Sequence, residues 1–211
     1  MMQKVLDIPA KTLSIVLYPL LIPTYGMGLF FAAMHVHSPA MPATLAWLSV
    51  VGTLFLTCLI PVSLIIWMWR RGQLTSLYIE DPKQRTTPYI YTTVCYAFWC
   101  YFVRATMHLP LMWLLLAIGA TLALAVVTII NRRWKISAHL SAMGGLLGGV
   151  CSYGLCGGVD VTAAVVAVLA VSLLLMYARI YLKAHTPMQV VCGYLLGLVF
   201  TFVPNLIMMY A

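Results

Sequence analysis

The sequence predicts an all-α fold: a polytopic bundle of six or seven transmembrane helices, forming one domain over 1–211. Three observations carry that expectation. Hydrophobic residues make up 64% of the 211-residue chain and charged residues only 8%, whereas soluble domains hold roughly 25% charged residues. The apolar residues come in long runs, and 45–69, 111–130 and 161–177 contain no charged side chain. These runs lack strand-like alternation and have the length of about 20 residues that a helix needs to cross about 30 Å of hydrocarbon, not the length of about 10 that suits a barrel strand.

Taken in order, crossings are expected at 13–34, 45–69, 88–104, 109–131, 138–156, 161–183 and 187–210. The first contains Pro19 and Pro23, which should kink it. Lys4 ahead of an apolar run resembles a secretory leader, but the run is too long and too interrupted by proline, so it is read as a retained span. The third crossing is short, rich in Tyr, and closed by Arg104 and His108. The stretch 70–88 is the only loop with room for more than a turn. In the later spans Gly144 and Gly148, Gly145 and Gly149, and Gly193 and Gly197 are each four apart, the spacing that brings membrane helices into close backbone contact.

Charge sets the expected orientation. With the N-terminus on side A, that side carries Lys4, Lys11, Arg70, Arg71, Lys83, Arg85, Arg132, Arg133, Lys135, Arg179 and Lys183, and side B keeps Arg104. Basic loops stay cytoplasmic, so side A, the N-terminus and any site on that face are expected in the cytoplasm, with a bacterial inner membrane as the host bilayer. The net charge of +8 is then mostly a topology signal, and no nucleic-acid partner is expected because no soluble domain presents it. The six cysteines show no metal-ligand spacing, and a pairing of Cys151 with Cys156 is disfavoured. His35 and His37 form an isolated pair on side B, read as a solvated loop rather than a metal site.

The informative polar residues gather on side A, where spans end. The fourth span stops at Asn131-Arg132-Arg133-Trp134-Lys135 and the fifth starts at Ser137-Ala138-His139. The sixth ends in Arg179 and is followed by Lys183 and His185, and the seventh starts at Thr186-Pro187-Met188-Gln189. Two crossings separate His139 from His185, which puts both on one face, and Lys83 and Arg85 are expected to reach that face through the hairpin of spans three and four. Two histidines, several basic groups and two helix N-termini suit a phosphoryl group. One histidine can attack phosphorus while the other protonates the leaving oxygen. Asp7, Glu80, Asp81 and Asp160 are scattered and form no carboxylate cluster for Mg²⁺ or Ca²⁺, so a metal-free and cofactor-free mechanism is expected.

At these residues the chain resembles the type 2 phosphatidic acid phosphatase family, which is related to the vanadium haloperoxidases. The family carries Lys-x6-Arg-Pro, Pro-Ser-Gly-His and Ser-Arg-x5-His-x3-Asp. Ile136-Ser137-Ala138-His139 is similar to the second motif at Ser and His, and Ala178-Arg179, His185 and Gln189 have the spacing of the third. The first is absent as written, with Lys83-Gln84-Arg85-Thr86-Thr87-Pro88 as the nearest substitute and Lys135 as a rival. The resemblance covers 135–197 well, 83–88 weakly, and not the first two spans. It implies a phosphatase-like core at 135–197 acting on a lipid phosphate or polyprenyl diphosphate. By that resemblance His185 is the nucleophile, His139 the general acid and Gln189 the orienter that replaces the family's Asp. Arg179, Lys83, Arg85, Lys135 and Ser137 are then the phosphate-holding residues.

Simpler roles stand beside these. Ser137 also reads as an N-cap, Thr186 to Gln189 as a capping box with Pro at the first helical position, and Arg179 and Lys183 as side chains snorkelling at a helix end. Three functions stay open: a metal-independent lipid phosphatase, a non-catalytic relative that binds or moves phosphorylated lipids, and an unrelated membrane transporter.

Overall fold

The computed structural model describes residues 2–37, 42–76, 79 and 82–210, and within them all regular structure is helical. The helices are α1 (Met2–Val16), α2 (Ile22–His37), α3 (Ala43–Leu54), α4 (Ile60–Arg70), α5 (Thr86–Tyr101), α6 (Leu111–Asn131), α7 (Ala138–Gly157), α8 (Thr162–Tyr181) and α9 (Pro187–Tyr210).

Among the described residues, five helical stretches are long and apolar enough to cross a membrane: Ala43–Arg70, Leu111–Asn131, Ala138–Gly157, Thr162–Tyr181 and Pro187–Tyr210. The chain is thus an integral membrane protein with about five such spans, which corrects the expected six or seven. The expected 13–34 crossing divides at 17–21 into α1 and α2. Pro19 has no N–H to continue α1, and Pro23 sits in the first turn of α2, where no N–H partner is required. Tyr25 braces the corner by donating its hydroxyl to the Val16 carbonyl at 2.9 Å. The expected 88–104 crossing forms as α5 extended by a five-residue π-turn, Phe102–Thr106. Its tyrosines and Arg104 leave it too polar to stand among the five.

The first of the five spans joins α3 to α4 through a second π-turn, Phe55–Leu59, just before Pro61 removes a backbone donor. Thr57 Oγ1 bridges this turn to the α1–α2 corner, donating within reach of the Thr53 carbonyl at 2.8 Å and the Leu20 carbonyl at 3.2 Å. Trp99 Nε1 donates to Thr53 Oγ1 at 2.9 Å and ties α5 to the same span. These buried polar bonds fix register where lipid offers no competing water.

The centre of the bundle is α7, packed most extensively on α9 and also touching α2, α6 and α8. A Cβ on Gly144 would overlap the Tyr194 carbonyl, and one on Gly197 would overlap the Ser141 carbonyl. Both contacts are backbone against side-chain position, so only glycine permits this approach. Leu140, Met143 and Leu175 are fully enclosed, whereas Trp47, Phe98, Ile129, Leu173 and Tyr177 point outward. An apolar exterior around a packed interior is the arrangement a bilayer favours.

Candidate functional site

The break after α1, the start of α5, the start of α7 and the α8–α9 connection meet around one polar cavity of about 80 Å³. Its lining includes Tyr18, Arg85, Tyr89, His139, Arg179 and His185, and among the described residues no Asp or Glu lines it. Four of the sequence-selected residues, Arg85, His139, Arg179 and His185, are therefore brought together.

His185 sits in the turn between α8 and α9, and Lys183 before it takes a left-handed φ of 53° that folds the chain back. The His185 amide faces the Arg179 carbonyl at 3.4 Å, closing the end of α8. The imidazole Nδ1 lies 3.2 Å from the Lys135 carbonyl and 3.2 Å from Gln189 Oε1. Both neighbours only accept, so Nδ1 carries the hydrogen and Nε2 keeps its lone pair. The orientation of the Gln189 amide is set independently, because its Oε1 also accepts from the Thr186 amide at 3.1 Å. The Gln189 amide in turn donates to Thr186 Oγ1 at 3.4 Å. Gln189 is thus both the capping-box residue of α9 and a hydrogen-bond partner of His185.

Burial is the main cause that pushes the His185 pKa down from 6.5 to about 4, followed by the positive charges of Arg179 and Arg85. The acceptors on Gln189 and Lys135 oppose the shift. His185 is therefore neutral at pH 7, the state in which Nε2 can attack an electrophile.

His139 lies in the first turn of α7, with Nε2 3.1 Å from the Ser14 carbonyl of α1. That carbonyl accepts only, so Nε2 is protonated and its hydrogen is held by the end of α1. Tyr18 packs edge-on against the ring at a centroid distance of 6.0 Å.

Arg179 presents a buried Nε with no hydrogen-bond partner among protein groups, one of few such donors in the described residues. Arg85 is buried and donates its Nε to the Ile79 carbonyl at 2.7 Å. Ile79 pays for this contact with a left-handed φ of 42°, a conformation β-branched residues rarely adopt. Arg85, the residue just before α5, lines the cavity together with Tyr89, one helical turn on.

Two of the expected phosphate-holding residues stand differently. Neither Ser137 nor Lys135 lines the cavity. Ser137 Oγ accepts from the Leu140 amide at 3.4 Å and caps α7, and its own amide donates to the Gln189 carbonyl at 3.2 Å. Lys135 serves the site through its backbone carbonyl on His185. The Lys83 side chain lies outside the described residues, as do those of His35 and His37. All six cysteines are free thiols, so Cys151 and Cys156 are not paired. Among the described residues no group of three His, Cys, Asp or Glu side chains gathers in a metal-holding arrangement.

Sequence reasoning missed Tyr18 and Tyr89. The four-residue step from Arg85 to Tyr89 on one helix face was a usable signal. Nothing local pointed to Tyr18, which reaches the cavity only because the chain breaks at Pro19. No protein-family model, no curated protein and no solved structure matches this chain.

Proposed function

We propose that the chain is a membrane-embedded, metal-independent phosphatase that hydrolyses a lipid phosphate or polyprenyl diphosphate through a phosphohistidine. The single observation supporting this most strongly is that Arg85, Arg179, His139 and His185 line one cavity with no carboxylate among its described lining residues. Two guanidinium groups sharing a buried space repel each other, and a phosphoryl dianion between them removes that repulsion and gives the unpartnered Arg179 Nε an acceptor.

In this reading a proton carried in by the substrate phosphate makes His139 an imidazolium, His185 Nε2 attacks phosphorus, the bond from phosphorus to the lipid oxygen breaks, and His139 delivers its proton to the departing oxygen. The neutral His139 then takes a proton from water as the water oxygen attacks phosphorus and the phosphorus–nitrogen bond breaks, releasing inorganic phosphate and restoring His185. Arg85 and Arg179 stabilise charge that builds on the equatorial oxygens. His139 first exchanges the Ser14 carbonyl for the leaving oxygen, so the end of α1 shifts when substrate enters. The basic residues bordering 70–71, 131–138 and 179–187 support a cytoplasmic position for this end of the bundle.

A second reading, a non-catalytic protein that binds or moves phosphorylated lipids, draws support from Gln189. Its amide orients His185 but carries no charge to stabilise an imidazolium. Phosphate release from a panel of lipid phosphates in EDTA, with vanadate as inhibitor, separates the two. Turnover in EDTA that vanadate blocks supports the phosphatase. Tight binding without turnover supports the second reading, and turnover that chelation abolishes and Mg²⁺ restores overturns the histidine mechanism.

A further inference from the structure

A second cavity, of about 120 Å³, lies beside the first, in the bundle between α2, α5, α6, α7 and α9. The two share Pro19, Leu20, Leu124 and Ala138 as lining residues, so they abut at those side chains. Beyond that junction the walls are apolar and aromatic, with Phe30 and Trp113 in edge-to-face contact at 5.2 Å. Small residues, Ala142 and Gly145 among them, keep the space open. Gly145 and Gly149 line this cavity, Gly145 at its edge beside α9, whereas the neighbouring Gly144 and Gly148 are pressed too close to α9 for a side chain. Among the polar side chains that line it, which include Tyr96, Trp99, Ser141 and Thr201, Trp99 Nε1 donates to Thr53 and Thr201 Oγ1 to backbone carbonyls.

We infer that this cavity holds the first carbons of a hydrocarbon chain joined directly to the phosphate, making the ligand a phosphate ester of a simple long-chain alcohol rather than of diacylglycerol. The inference rests on the polar cavity being a phosphate site, as proposed above. Its own support is the chemistry of the junction. All four shared residues are apolar, so no side chain there donates or accepts a hydrogen bond. A glycerol backbone would bring two ester groups to that point and strip them of water without giving them partners, which is unfavourable. A prenyl or alkyl chain presents only methylene, methyl or alkene carbon there. The cavity's size also suits a narrow chain entering singly, since an apolar space of about 150 Å³ accommodates one benzene.

The test is equilibrium binding to the purified full chain in detergent, using hydrolysis-resistant phosphonates so that turnover is not required. The probes are farnesyl phosphonate, dodecyl phosphonate and the phosphonate analogue of dioleoylglycerol phosphate. The single-chain probes are expected to bind at least about tenfold more tightly than the diacylglycerol analogue. Their relative affinities then say whether the chain is isoprenoid or unbranched. Ala142→Leu fills the cavity and should weaken both single-chain probes by about tenfold. Gly145→Ala should produce a smaller loss in the same direction, and its fold is safe because the new methyl meets only Thr201 Cγ2 at 3.5 Å and the Gly197 carbonyl at 3.9 Å. Equal or tighter binding of the diacylglycerol analogue would overturn the inference, as would single-chain affinities that neither substitution moves. A parallel failure to release phosphate from farnesyl phosphate would remove the phosphatase reading and leave the binding result standing.

Discussion

At the scale of single residues, the chemistry depends on the protonation state of His185. Its pKa of about 4 lies below the ordinary 6.5, so it stays neutral through the physiological range. The acid limb of turnover that reports this nucleophile is expected near pH 4 rather than near 6.5, read from kcat/KM between pH 3.5 and 8. The same depression has a consequence for stability. As pH falls below 6.5 the unfolded chain binds this proton first, so stability is lost between 6.5 and about 4 and no further below that. The difference corresponds to roughly 3 kcal/mol. His185→Asn should therefore lose less thermal stability than the wild type between pH 7 and pH 4.5. Gln189 offers a second residue-scale test, because it serves both helix and histidine. Gln189→Leu removes the one acceptor that serves both and should lower stability by about 1 kcal/mol and phosphate release well beyond that loss. Gln189→Asp keeps the cap and gives His185 a charged partner, so release per folded molecule should hold or rise. Equal turnover by all three proteins would reduce Gln189 to a cap. The histidines and Arg179 were legible from residue type and spacing at helix ends, because helix periodicity and an even number of crossings place them together. The capping role of Ser137 was also legible, whereas that of Lys135 was not, since it acts through a backbone carbonyl that side-chain chemistry does not announce.

At the scale of elements, α7 and α9 form the joint that holds the site's two helix starts together. The Ser137 amide bonds to the Gln189 carbonyl at the top of this joint, and the glycine contacts run below it. Gly197→Ala would push a methyl into the Ser141 carbonyl and the Gly145 amide, and should destabilise the protein by roughly 3 kcal/mol. Gly28→Ala in α2 meets nothing within 4 Å and should instead stabilise by roughly 0.5–1 kcal/mol. Thermal unfolding in one detergent compares the two directly, and equal effects would mean the α7–α9 approach is looser than described. The sequence spacing of the glycines marked them as packing residues but did not say which pair met a helix. Adjacent residues on a helix point about 100° apart, so two interleaved pairs with one spacing face different surroundings. The break between α1 and α2 was likewise only half legible: the prolines predicted a kink, and the extent of the disruption depended on the braces from Tyr25 and Thr57.

At the scale of the whole molecule, the charge distribution and the five apolar spans share one orientation. The ends of those spans near 70, 131–138 and 181–187 carry the basic residues, and the opposite ends carry few charges. A cysteine at exposed Gln73 should be shielded from an impermeant thiol reagent in intact cells, and one at exposed Gly157 should be labelled, in a background without reactive native thiols. The reverse pattern would turn the site outward. The number of spans was the part least legible in sequence. A backbone break divides 13–34, and aromatic hydroxyls and Arg104 leave 88–104 less apolar than the five spans, although α5 still carries the chain from the end of the bundle near 70 to the opposite end near 111.

The central claim is that His185 carries the phosphoryl group. Rapid mixing of the purified protein with phosphorus-labelled farnesyl phosphate in EDTA, followed by an alkaline quench, tests it most directly. The expected result is a label on the wild-type chain that survives alkali, is lost in acid and maps to the peptide containing His185, with none on His185→Ala and no phosphate release by that variant. A His185→Ala protein that releases phosphate at the wild-type rate would contradict the account.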